Sequence, residues 1–115
     1  MTLYGIKNCD TVQKTMKWLT KHKKSFRFHD YKLSGIDEST LKSWCKQVGW
    51  EQLLNKRSTT WRELGDNVQA TVTNEKAAIR IMLENNSIIK RPVITEGSTI
   101  VVVGFNEAEY AKKFR

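Results

Sequence analysis

The sequence predicts an α/β protein, an open sheet with helices on its faces. Three observations carry that reading: a β-α-β pattern over residues 2–30, a helical middle section, and two β-branched runs near the end joined by a short Gly-containing turn. A chain of 115 residues buries most of the surface that its unfolded form exposes, so one domain, 1–115, is expected.

The first strand is expected at about 2–6, the first helix at about 10–22 and the second strand at about 26–30, in Phe26-Arg27-Phe28-His29-Asp30. Such a unit favours a parallel pair of strands joined by a crossover helix. Asp10 with Gln13 reads as a capping box, the acid accepting helix N–H bonds while Gln13 reaches back. Val12, Met16 and Leu19 form the apolar face of this helix, opposite Lys14, Lys17, Lys21 and Lys24.

A helical section follows at about 36–64. Asp37-Glu38-Ser39-Thr40 initiates it, and Leu41, Trp44, Cys45 and Val48 recur at i, i+3, i+4 and i+7. Gly49 ends that helix, and Trp50-Glu51-Gln52-Leu53-Leu54 reads as a short successor. The polar stretch Asn55-Lys56-Arg57-Ser58-Thr59-Thr60 is expected as a loop and Gly65-Asp66-Asn67 as a turn. A helix over about 74–85 places Ala78, Ile79, Met82 and Leu83 on one face. Two strands follow, the third of the sheet starting at Pro92 and the fourth at Thr99, with Glu96-Gly97-Ser98 between them. Asn106 caps a closing helix that ends near Phe114.

Composition narrows the function classes. The longest apolar run, Ile100-Val101-Val102-Val103, is far too short to span a bilayer, and Met1 leads almost directly into a strand, so a soluble cytoplasmic protein with no membrane partner is expected. Two cysteines and two histidines show no zinc spacing, and no metal site is expected. The formal charge of +8 calls for an anionic partner or a well-solvated surface. No DNA-reading motif or pair of RNA-stacking aromatics accompanies it, so nucleic acid is not the expected partner.

The chemistry concentrates at Cys9, between the first strand and the first helix. A thiol there meets the unpaired N–H groups and positive end of the helix, which favour the reactive thiolate; the alternative is a small buried core residue. Cys45 lies on an apolar helix face and reads as structural. A helix terminus supplies about 0.3–1 kcal/mol, while making an ordinary cysteine mostly ionised at neutral pH takes roughly 2.7 kcal/mol. A cation is therefore needed as well.

The blocks Tyr4-Gly5-Ile6-Lys7-Asn8-Cys9-Asp10-Thr11, His29-Asp30-Tyr31, Leu53-Leu54-Asn55-Lys56-Arg57-Ser58-Thr59-Thr60-Trp61 and Ile89-Lys90-Arg91-Pro92-Val93, followed by Val103-Gly104-Phe105, resemble the ArsC/Spx family of thioredoxin-fold proteins, its YffB-type members above all. The resemblance spans essentially the whole chain. It implies a thioredoxin-like (glutaredoxin-like) mixed four-stranded sheet with flanking helices and a helical insertion, with Pro92 a cis proline facing Cys9. Arsenate reductases of this kind carry arginines at the positions of Gln13, Asn55 and Gly104, and only the Arg91 position is kept here, which makes arsenate a poor substrate. Spx-type regulators that bind RNA polymerase often have Cys-x-x-Cys, where Val12 takes the second place here. Phosphatase-like chemistry needs an arginine where Thr15 stands.

What the resemblance leaves is a glutathione-dependent thiol-disulfide reductase. Cys9 would form the mixed disulfide and Arg91 would be the catalytic cation, with Lys7 second. Lys7, Asn8, Arg57 and Pro92 would bind glutathione, a co-substrate and not a bound cofactor. Arg57 and Arg91 each have a plainer reading, as a solvated charge and as an arginine flanking a strand. The partners expected are glutathione and a thiol or disulfide substrate. The competing reading is an Spx-like regulatory or adaptor protein whose basic surface binds a protein such as RNA polymerase.

Overall fold

A computed structural model describes residues 1–114. In chain order the elements are β1 (Thr2–Gly5), α1 (Asp10–Lys21), β2 (Arg27–Asp30), α2 (Tyr31–Ser34), α3 (Glu38–Val48), α4 (Trp50–Leu53), α5 (Thr59–Glu63), α6 (Gly65–Gln69), α7 (Glu75–Glu84), a 3₁₀ turn at Asn86–Ile88, β3 (Val93–Glu96), β4 (Thr99–Val103) and α8 (Glu107–Lys113). They form two compact units, one of Met1–Ser34 with the chain from Arg91 onward, the other Gly35–Lys90.

The first unit holds the four-stranded sheet, in the order β2-β1-β3-β4. β1 runs parallel to β2, with Tyr4 opposite His29, and antiparallel to β3, with Tyr4 opposite Val93. β3 and β4 are antiparallel, their register shifting between Ile94 and Thr95. Alternation along the strands turns Leu3, Ile94 and Val102 to one face, where they pack with Val12 and Leu19 of α1 and Tyr110 of α8. Thr15 is also fully buried on α1, its hydroxyl donating to the Thr11 carbonyl at 2.7 Å, so the helix tolerates a polar group in its apolar stripe. Gly5 allows β1 and α1 to approach: a Cβ there would lie 2.7 Å from a Val12 methyl.

The second unit is helical. Asp37 caps α3 by accepting from the Thr40 N–H at 2.8 Å, Ser58 caps α5 and Asn74 caps α7. Gly49 ends α3 at φ +87°, as the sequence indicated. Leu54 and Ile89 form an antiparallel bridge, reinforced by Asn55 N–H to the Ile88 carbonyl and Lys90 N–H to the Leu53 carbonyl, both 2.7 Å. The helical section expected at 36–64 lies within this unit, which continues to Lys90.

Four local expectations are corrected. Thr59 and Thr60 are helical, not loop, because the Ser58 hydroxyl accepts from the Trp61 N–H and starts α5. Gly65-Asp66-Asn67 opens α6 and is not a turn. Cys9, not Asp10, is the N-cap of α1: its backbone is extended at φ −134° while Asp10 is already helical, and Gln13 reaches back to the Lys7 carbonyl at 2.8 Å. The third strand begins at Val93, one residue after the expected Pro92, and before it Ile88 ends a 3₁₀ turn while Ile89 bridges to Leu54.

Candidate thiol site

Strand β1 delivers the chain to Lys7 and Asn8, both exposed, and then to half-buried Cys9 at the leading end of α1. The Cys9 carbonyl accepts the Gln13 N–H at 2.9 Å, closing the first helical turn, while the Gln13 side chain ties down the Lys7 carbonyl. The bend before the cysteine is thus held from inside the helix.

Arg91 comes from the other end of the sequence. The Arg91–Pro92 peptide bond is cis, the Pro92 carbonyl accepts the Gly104 N–H at 2.7 Å, and Val93 pairs with Tyr4 of β1. These ties fix the segment beside β1, and the Arg91 guanidinium hydrogen-bonds the Cys9 sulfur. Burial, the largest influence on the thiol, pushes its pKa up. The Val12 N–H, the Arg91 hydrogen bond and charge, and the Thr11 N–H act the other way and prevail, so Cys9 ionises below its ordinary value. Two helix N–H groups and one guanidinium therefore share the stabilisation that a helix end alone supplies incompletely.

Behind this pair lies an aromatic group. The Tyr4 ring is 4.6 Å from His29 and stacks at 6.2 Å on Tyr31, whose own ring meets His29 edge-on. Tyr31 is 1% exposed, and burial holds its phenol protonated well above the usual range, with the neighbouring Tyr4 phenol adding to that and the Arg91 charge opposing it. Sequence reasoning used His29-Asp30-Tyr31 only as a family block. Alternation in β1 and β2 could have placed Tyr4 and His29 on one face, but Tyr31 opens α2, which no periodicity announced.

Arg57 belongs to the Gly35–Lys90 unit, exposed, with its N–H donated to the Asn55 side chain at 3.1 Å. Cys45 lies in the same unit, 5% exposed; burial first, then Glu75 and Glu51, push its thiol up to about 11, which keeps it protonated and inert. Among the described residues no three His, Cys, Asp or Glu side chains gather to hold a metal ion, and no helix is long and apolar enough to cross a membrane.

The sequence pattern of the ArsC family matches residues 4–113. The chain belongs to the ArsC family. Its fold is thioredoxin-like, and this ArsC-family chain superposes on the solved structure of the YffB protein with a TM-score of 0.91, at 44% identity over 99% of this chain and 98% of that one. The solved arsenate reductase (ArsC) related protein from Brucella melitensis is also 44% identical, with a TM-score of 0.78 over 99% and 93% of the two chains. The global transcriptional regulator Spx 1 of Lactococcus lactis is 28% identical over 93% of this chain and 83% of its own length. The ArsC family chain thus has relatives related to arsenate reductase and relatives that regulate transcription.

Proposed function

We propose that this protein is a glutathione-dependent thiol-disulfide reductase with Cys9 as its nucleophile. The observation that carries the reading is the Cys9 sulfur at a helix N-terminus, half-buried, hydrogen-bonded by Arg91 and ionising below its ordinary value. The Cys9 thiolate attacks a disulfide R–S–S–R′, forming Cys9–S–S–R and displacing R′–S⁻, which takes a proton from water. A glutathione thiolate attacks the sulfur of R, restoring the Cys9 thiolate. A second glutathione converts R–S–S–glutathione to R–S⁻ and oxidised glutathione. Two glutathiones are oxidised as one disulfide becomes two thiols. External glutathione is needed because Val12 stands where a resolving cysteine would follow Cys9.

In this reading the main chain at Arg91–Pro92 receives the extended glutathione backbone, and Lys7, Asn8 and Arg91 face its carboxylates and amides. Losing most of the arginines expected of an arsenate site argues against a tetrahedral oxyanion as substrate. The test is intact mass spectrometry after exposure to oxidised glutathione. One glutathione gained on Cys9, and none by Cys9→Ser, is the expected result; labelling of Cys45 alone, or no adduct, removes the proposal.

The similarity to Spx 1 favours a second reading, a regulator that binds a protein partner. The two separate by substitution. A regulator keeps its partner when Cys9 becomes serine, whereas a reductase loses all turnover.

A further inference from the structure

Between Thr11 and His29 the chain carries Lys14, Lys17, Lys21, Lys23, Lys24 and Arg27 and not one Asp or Glu. Lys14, Lys17 and Lys21 are exposed at i, i+3 and i+7 on α1, opposite buried Val12, Thr15 and Leu19. None of these three lysines forms an ion pair with a described residue, unlike Lys42 with Glu38 and Lys113 with Glu109. In the Gly35–Lys90 unit, by contrast, cations and acids nearly balance. The excess charge is therefore not spread over the molecule. Most of it gathers between Thr11 and His29, where the three lysines of α1 are strung along the helix out to about 18 Å from Cys9 at a rise of ~1.5 Å per residue.

We propose that the Lys14, Lys17 and Lys21 face of α1 docks an acidic surface of the protein whose disulfide Cys9 opens. This rests on the reading of Cys9 as a nucleophile and names the class of its substrate. Glutathione is too short to engage the whole face, so the lysines distant from Cys9 serve a larger partner. Nucleic acid would satisfy the charge but presents no sulfur to the thiol, and the one tryptophan of α1, Trp18, is buried rather than offered for stacking. A membrane surface needs apolar side chains on the same face, and between these lysines there are none exposed. Asp10, exposed beside Cys9, is the one acid of α1 and sets a direction, with the acidic patch of the partner toward Lys21 and its disulfide toward Cys9.

The test uses three synthetic peptides whose cysteine is activated as a pyridyl disulfide and followed by a run of glutamates, serines or lysines. Attack by Cys9 joins the peptide sulfur to Cys9 and releases pyridinethiol, whose absorbance gives the rate, with Cys9→Ser as the blank. The glutamate peptide should react about tenfold faster than the serine peptide at low salt, the lysine peptide slower, and the differences should collapse at high salt. Lys17→Glu with Lys21→Glu should invert the order while the serine peptide keeps its rate; Lys17→Gln with Lys21→Gln should abolish it. Circular dichroism verifies that both variants fold. A glutamate preference that survives these substitutions overturns the proposal. If Cys9 exchanges with none of the peptides, the nucleophile reading fails by itself, and docking is then read from fluorescence anisotropy of a labelled glutamate peptide on the Cys9→Ser protein. Binding that ignores the lysine substitutions, or that an oligonucleotide of matched charge displaces more strongly, overturns it there.

Discussion

At Cys9 the opposing effects on one sulfur can be ordered. Burial disfavours the thiolate, and the Val12 N–H, the Arg91 guanidinium and the Thr11 N–H together outweigh it. Arg91 is the one contributor whose removal leaves the helix intact. Arg91→Ala should therefore move the midpoint of the Cys9 alkylation rate to higher pH and slow alkylation at neutral pH several-fold, with Arg91→Lys recovering part of the loss because it keeps the charge but not the planar fork. Iodoacetamide kinetics across pH measure this, with buried Cys45 as an internal report that the fold is kept. An unchanged midpoint would assign the shift to the helix end alone. The cysteine was legible in the sequence because a strand, a bend and a helix start frame it locally. Its cation was not, since Arg91 lies far along the chain and only the resemblance to a known family joined the two.

The long elements could be read because their periodicity repeats: α1, α3 and α7 each bury a stripe that the sequence marks. α2, α5 and α6, of four or five residues, are too short to show a period, and their starts depend on tertiary context such as the Ser58 hydroxyl. The start of α1 at Asp10 was legible, but its cap was misplaced by one residue for a related reason. Asp10 and Gln13 have the spacing of a capping box, but the chain turns back before Cys9, and Gln13 finds the Lys7 carbonyl instead. The contact between β1 and α1 makes a prediction at this scale. A methyl at Gly5 would overlap Val12, so Gly5→Ala should cost about 1–3 kcal/mol in urea unfolding, through overpacking. Val12→Ala opens space at the same point. The double variant should therefore be less destabilised than the two single effects added, and strict additivity would show that the strand and helix do not meet through this pair.

Over the whole molecule, the groups held away from their ordinary ionisation pull stability in two directions. Cys9 ionises more readily folded than unfolded, so the unfolded chain binds more protons there and its contribution grows as pH rises from the folded pKa to the ordinary value near 9. Cys45, held up to about 11 from an ordinary 9.0, does the opposite: its contribution is complete below about 9 and is lost as pH climbs through 11. Tyr31 and Tyr110 are both held protonated above their ordinary 10.0, chiefly by burial, and add to the same alkaline loss. The Thr15 hydroxyl beside Tyr110 acts against this, but burial prevails. Stability should thus climb toward pH ~9 through Cys9 and fall above it through the other three, each at a slope of at most ~1.4 kcal/mol per pH unit. Urea unfolding at closely spaced pH values checks this in three proteins. Cys9→Ser should flatten the climb and leave the alkaline fall, while Cys45→Ala, after allowance for its uniform cavity cost, should leave the climb and make the fall shallower between about pH 9 and 11. A Cys9→Ser curve parallel to wild type below pH ~9 would mean that the sulfur is no more ionised folded than unfolded, and the chemistry proposed for it would lose its driving force.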